Sequence, residues 1–349
     1  MTSMQRILTA LGHKEADRVP FFLSFTMHGA KELGMSVREY FSSAENVAQG
    51  QLRVSRKFSN DCVNGYFYAP IEIEAWGGEV VFRDDGPPNA GEPFIRKIED
   101  IRGLTPPDVR QSRCLLKALD AQRIMKEVVG DDIPVLGAVI SPFSIAIMQM
   151  GFDKYIELIY ERKELFEQLM RVNEEFCVQW ANAQIDAGCT AIAYVDPMSS
   201  PTIIDKDLYL KTGYNIAKRT LSRIKGPTAT HFAAGRCYPI IEDIIQTGTS
   251  AIGVSVLEDL QEIKNACKGR ITVIGNLNGI EMRRWSQADT TRIVKEAIAK
   301  AGKGGGFILS DNHGEIPLQV PDDVLYAIAD AVKEWGRYPL KWLDDDTGN

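Results

Sequence analysis

Four histidines occur in the chain: His13, His28, His231 and His313. The last three stand at or just beyond short apolar runs, where a strand would deliver a side chain to a shared rim. An imidazole titrates near neutrality and serves as acid, base or metal ligand. His231 and His313 are therefore the leading candidates for chemistry. Their alternative reading is a hydrogen-bonded core residue. Asp196 and Asp311 each close an apolar run, and Asp196 precedes Pro197. A carboxylate so placed either works as an acid or base or caps the next helix. Tyr66, Tyr194, Met198 and Asn276 belong to the same set of strand ends. With His28 they are candidates to line a substrate cavity, against the alternative of ordinary packing.

The elements that would carry these residues follow from apolar patterning. Eight β-type runs occur at 19–25, 61–66, 133–139, 191–196, 228–234, 251–256, 271–277 and 305–311. They are continuous rather than alternating, as strands buried on both faces should be. Helical periods lie between the later runs, at 152–188, 257–267 and 290–301, and a last helix starts near Pro321-Asp322-Asp323. The pattern predicts a single-domain (β/α)8 TIM-type barrel over 1–349, preceded by an N-terminal helix, with an open doubly wound sheet as the alternative. The connection from about 67 to 132 is too long for one helix. It predicts an inserted hairpin or lid after strand 2. The glycines of Gly302-Lys303-Gly304-Gly305-Gly306 precede a strand instead of joining a strand to a helix, which suits a tight turn and not a phosphate loop.

Composition narrows the function class. The 349 residues carry 40 Lys plus Arg against 47 Asp plus Glu, a formal charge of −7, which argues against broad binding to nucleic acid or an anionic membrane. With 44% hydrophobic and 25% charged residues, the chain reads as globular. No uncharged apolar run reaches the ~18 residues of a membrane span. The six cysteines are scattered, as reduced thiols in a cytoplasm would be, so a cytoplasmic location is expected. An exposed barrel face leaves room for a homodimer.

His313-Gly314-Glu315-Ile316-Pro317, followed by Val320-Pro321-Asp322-Asp323-Val324, resembles the C-terminal signature of the uroporphyrinogen decarboxylase superfamily. Arg6-Ile7 to Asp17-Arg18-Val19-Pro20, Ser141-Pro142-Phe143-Ser144 and Gly275-Asn276-Leu277 also match its pattern. The resemblance covers essentially the whole chain and implies a (β/α)8 barrel. True decarboxylases of the superfamily carry an arginine-rich element after strand one to grip many carboxylates. Here that place reads Ser24-Phe25-Thr26-Met27-His28-Gly29-Ala30, without arginine. Asp196-Pro197-Met198-Ser199-Ser200-Pro201 and Glu74-Ala75-Trp76-Gly77-Gly78 are similar to the methyltransferase branch instead.

That branch implies methyl transfer between a small donor or acceptor and a corrinoid (methylcobalamin or cob(I)alamin) held by a partner corrinoid protein. It also implies Zn2+ bound through His-x-Cys and a later Cys. Here His231 matches the first ligand, Ala233 replaces the first cysteine, and His313 stands in the second cysteine's place. Cys237 is a candidate substitute ligand; a buried thiol is its plainer reading. Nitrogen and oxygen donors would leave zinc more Lewis acidic and suited to an oxygen, so the expected reaction is O-demethylation. Without zinc, His313 is expected to act as acid, assisted by His231 or Asp311. A decarboxylase of a small carboxylated substrate and a silent ligand-binding barrel are the alternatives.

Overall fold

The computed structural model describes residues 1–345. Its strands are β1 (Val63–Asn64), β2 (Val80–Val81), β3 (Asn89–Ala90), β4 (Val135–Ile140), β5 (Ala191–Val195), β6 (Thr228–His231), β7 (Ala251–Gly253), β8 (Thr272–Leu277) and β9 (Phe307–Asp311). Among the described residues, seven of them form one parallel sheet in the order β1-β4-β5-β6-β7-β8-β9, curled with helices outside. This is the TIM-type architecture that the patterning predicts.

The predicted first strand, 19–25, forms no ladder. It touches its neighbours through a single parallel bridge from Phe21 to Leu309 and a few backbone bonds. The reason is local. Pro20 has no N–H to give, and side chains satisfy much of the rest. The Asp61 carboxylate accepts from Phe21 N (2.9 Å), Asn60 Oδ1 from Leu23 N (2.8 Å) and the Asp311 carboxylate from Ser24 N (2.9 Å). Because Phe22 N also donates to Leu309 O and Asp61 N to Phe21 O, this run closes the ring between β9 and β1.

The N-terminal helix Ser3–Leu11 begins at Thr2, whose hydroxyl accepts from Gln5 N in a capping box. Its Ile7 and Ala10 pack with Cys62 and Ile308, with Leu11, Phe22, Leu136 and Ile274 around them, so the helix plugs the floor of the barrel. The 67–132 insertion contains the short helix Ile71–Ala75, the antiparallel β2–β3 hairpin and the long helix Arg113–Val129. The sequence predicts one helical period over 152–188; two helices, Phe152–Glu161 and Lys163–Asp186, divide it at Arg162. Gly304, Gly305 and Gly306 all have positive φ (80°, 70° and 62°), the tight turn into β9 that the sequence predicts. No helix among the described residues is long and apolar enough to cross a membrane.

Candidate active site

The interior of this barrel is hollow. Side chains along β5 alternate, so Ala191, Ala193 and Val195 face inward while Tyr194 is buried against the helices. Inward residues on other strands include the small Ala138, Ala229, Gly253 and Ser310 beside Leu136, Ile140 and Ile274. They leave a cavity of about 380 Å³ that runs from Ile7 and Leu11 at the floor to His231, His313 and Glu315 at the mouth. The hairpin residues Pro87, Pro88, Asn89 and Ala90 form part of its lining. No Arg or Lys lines it among the described residues.

His231 ends β6. Its Nδ1 accepts a hydrogen bond from Ala233 N at 3.0 Å, which leaves Nε2 to carry the proton of the neutral ring. Gly253 is its register partner on β7, and a Cβ there would lie 2.2 Å from His231 Cδ2. Only glycine lets the ring lie across that strand. Burial pushes the His231 pKa down, Asp311 opposes this and His313 adds to it. His313 follows β9, and its buried Nδ1 has no hydrogen-bond partner among the described residues. Burial lowers this imidazole too, against the pull of Asp311. Both rings are therefore neutral at neutral pH.

Two carboxyl groups share the cavity. Glu315 accepts from the Thr26 hydroxyl at 2.5 Å. Burial pushes it up to about 7, with the Thr26 hydrogen bond opposing and Asp311 reinforcing the rise. Glu72, from the helix Ile71–Ala75, accepts from Ile140 N at 2.8 Å. It is pushed up to about 8 by burial, partly offset by that N–H. Sequence reasoning missed both as site residues. Glu315 lies inside the quoted His313–Pro317 element and was within reach. Glu72 sits among alternating Ile and Glu residues that carry no signal until the insertion folds over the barrel. Tyr66 also lines the cavity, its phenol held well above its ordinary pKa by burial.

The other predicted site residues lie elsewhere. Asp311 is buried as a brace: Oδ1 accepts from Ser24 N and Oδ2 from Gly314 N, both at 2.9 Å. Asp196 accepts from the hydroxyls of Ser141 (2.5 Å) and Ser144 (2.7 Å), and its own N–H donates to His231 O at 2.8 Å. Burial raises its pKa, but it lies behind the cavity wall. Of the five expected substrate contacts only Tyr66 lines the cavity. Tyr194 points outward by strand parity, and Met198 packs in the hydrophobic core. Asn276 donates from Nδ2 to Ser255 O at 3.1 Å. His28 is buried edge-on against Phe25, ring centroids 5.0 Å apart, with neither nitrogen bonded.

The expected metal set is not assembled. Cys237 is fully buried, with Sγ 3.4 Å from Glu258 Oε2 and its N–H donating to the same carboxylate. Among the described residues no three His, Cys, Asp or Glu side chains converge as metal ligands. Two imidazoles with Ala233 beside them do not fit a structural or thiol-activating zinc, which needs three or four protein donors.

The sequence from residue 2 to 335 matches the family model described as Uroporphyrinogen decarboxylase (URO-D). The chain is 24% identical to a Methylcobamide:CoM methyltransferase MtaA of Methanosarcina barkeri, over 94% of this chain and 97% of the relative. It is also 24% identical to a Uroporphyrinogen decarboxylase of Xylella fastidiosa, over 97% of this chain and 100% of the relative. In fold it is similar to a methyltransferase from Methanosarcina mazei, with a TM-score of 0.85, 22% identity, and coverage of 96% of this chain and 99% of that one.

Proposed function

The chain belongs to the uroporphyrinogen decarboxylase family, and from that premise we propose that it is a methyltransferase moving the methyl group of a small methyl ether to the cobalt of a corrinoid carried by a partner protein. The observation that carries this reading is the cavity lining: two neutral histidines and two carboxyls that burial raises to about 7 and 8, in an apolar chamber lined by no Arg or Lys among the described residues. A decarboxylase has to bind a carboxylate, for which Arg or Lys forks are the usual means. The coenzyme M named for the relatives carries a sulfonate and reacts through a thiol; this lining offers neither a cation nor a thiolate-bound zinc.

The chemistry asked of the residues is acid assistance. An ether C–O bond breaks with its electron pair left on oxygen, so the leaving alkoxide or phenoxide must gain a proton. Glu315, protonated below about 7, gives its proton to that oxygen and regains one from solvent at the mouth. Tyr66 and the His231 Nε2–H stand beside the same mouth to orient the ether. The corrinoid supplies the electron pair that takes the methyl group. Four exposed apolar side chains, Ile203, Tyr238, Leu257 and Ile280, stand in the loops after β5, β6, β7 and β8, and offer the partner a rim around the mouth.

The test is demethylation of methoxyphenols with free cob(I)alamin, read by loss of its absorbance and release of the diol. The rate is expected to fall as pH rises through about 7, because Glu315 then loses its proton. Glu315→Gln should lower kcat by about 10²–10⁴-fold and flatten that pH dependence. Activity should survive treatment with a chelator. A rate unchanged in Glu315→Gln, or rising with pH, refutes the acid role; no demethylation of any methyl ether refutes the reading.

A further inference from the structure

The wall of the barrel is open on one side. β1 and β4 share only two register pairs, Val63 with Val135 and Asn64 with Leu136. Beyond them two glutamines from the outer helices reach the strands. Gln184 embraces Ala138, donating from Nε2 to its O (2.9 Å) and accepting its N–H at Oε1 (3.1 Å). A Cβ on Gly137 would come within 2.5 Å of Gln184 Oε1, so glycine makes this approach possible. Gln122 Nε2 donates to Gly65 O (2.9 Å) and to Gln184 Oε1 (3.0 Å).

Among the described residues, three polar atoms at this opening have no partner: Gln122 Oε1, Glu72 Oε2 and Trp180 Nε1. Their residues are at least nine-tenths buried and all line the cavity. Gln122, through Gln184, and Glu72 are both tied to one stretch of β4. Glu72 is bonded at Ile140, two residues along β4 from Ala138, which is about 6.6 Å of strand. Trp180 precedes Gln184 by four residues, about 6 Å along the helix, on the same face of Lys163–Asp186. A buried donor or acceptor left unpaired costs about 1–3 kcal/mol, so three at one wall need a reason.

We propose that this opening is a second pole of the substrate site, which binds an uncharged hydroxyl group on the part of the substrate away from the reacting ether. The inference rests on the methyl-ether reading for the other pole. A hydroxyl can donate to Gln122 Oε1 while accepting from Trp180 Nε1–H or from the protonated Glu72 carboxyl. A carboxylate at the same place would lack any cation and, having no proton to give, would leave the Gln122 Oε1 acceptor unpaired. The substrate class is therefore a hydroxylated aromatic methyl ether, and a methoxybenzoate is selected against. The cavity of about 380 Å³ accepts one substituted ring.

The experiment is calorimetric binding to the whole protein without corrinoid, so that affinity is read apart from methyl transfer. The probes are the isomeric methoxyphenols, methoxybenzene and 4-methoxybenzoate. At least one methoxyphenol should bind about tenfold more tightly than methoxybenzene, as one neutral hydrogen bond predicts, and the benzoate most weakly. Trp180→Phe and Glu72→Gln, each checked for an unchanged circular dichroism spectrum, should reduce that ratio by about threefold or more. Gln122→Met should do the same. Equal affinities for methoxyphenol and methoxybenzene, as when water satisfies these atoms, overturn the proposal. So does a ratio that survives all three substitutions, or preference for the benzoate. If the ratio behaves as expected while no probe is demethylated, the hydroxyl pole stands and the methyl-transfer reading fails. If demethylation proceeds with KM unaltered in the variants, the pole fails alone.

Discussion

Histidines at a predicted rim carry different chemistry once burial and bonding are known. His231 and His313 reach the cavity, whereas His28 is sealed among the helices with both nitrogens unbonded. Burial lowers the His28 pKa to about 3, from 6.5 for a free ring. Between those values the unfolded chain holds a proton that the folded chain does not, so stability falls as pH drops from 6.5 toward 3. His28→Leu should remove this contribution. The difference in denaturant midpoint between the variant and wild type should shift in the variant's favour as pH falls from 6.5 toward 3. An identical acid response in both proteins would show that His28 is not a source of it.

Among elements, the N-terminal helix and the incomplete first strand depend on one carboxylate. Asp61 is buried and accepts from Arg6 Nη1 (2.6 Å), Arg18 Nη1 (2.7 Å), Phe21 N (2.9 Å) and the Ser3 hydroxyl (2.9 Å). The motif from Arg6 through Asp17-Arg18-Val19-Pro20 thus has a physical purpose, to tie floor helix and closing strand to β1. Asp17 holds Arg6 from the other side, through Nε and Nη2 at 2.7 Å each, and that guanidinium keeps the Asp17 carboxyl down at about 2. Asp61→Ala leaves two guanidiniums facing a partly dry site without their central partner. The expected loss is about 3–5 kcal/mol, measured by urea unfolding. A loss below about 1 kcal/mol, the size of a surface pair, would show that the clasp does not hold the barrel closed.

For the whole molecule, the N-terminal helix covers the floor of the barrel, and His231, His313 and Glu315 stand at the opposite end, on the side of the βα loops. If the exposed rim receives a corrinoid protein, Tyr238→Glu together with Leu257→Glu should raise KM for that protein at least tenfold. The same change should leave the rate with free cob(I)alamin unaltered, since neither side chain lines the cavity. Equal effects on both acceptors would mean damage to the site itself and not to docking.

Features that depend on neighbours in sequence were legible from the chain alone. Strand runs, helix starts, the glycine turn before β9 and the family motifs all rest on local periodicity and backbone stereochemistry, and seven of the eight predicted strands form ladders. The absence of arginine near residues 24–30 already spoke against a polycarboxylate. Tertiary structure alone decided which strand-end residues face the cavity: parity turned Tyr194 away, and the Glu258 carboxylate claimed Cys237. It also brought Glu72 to Ile140, 68 residues distant, where desolvation makes an ordinary glutamate a neutral acid. Local pattern fixes where the chain turns and pairs; solvation and side-chain direction are set by what folds over it.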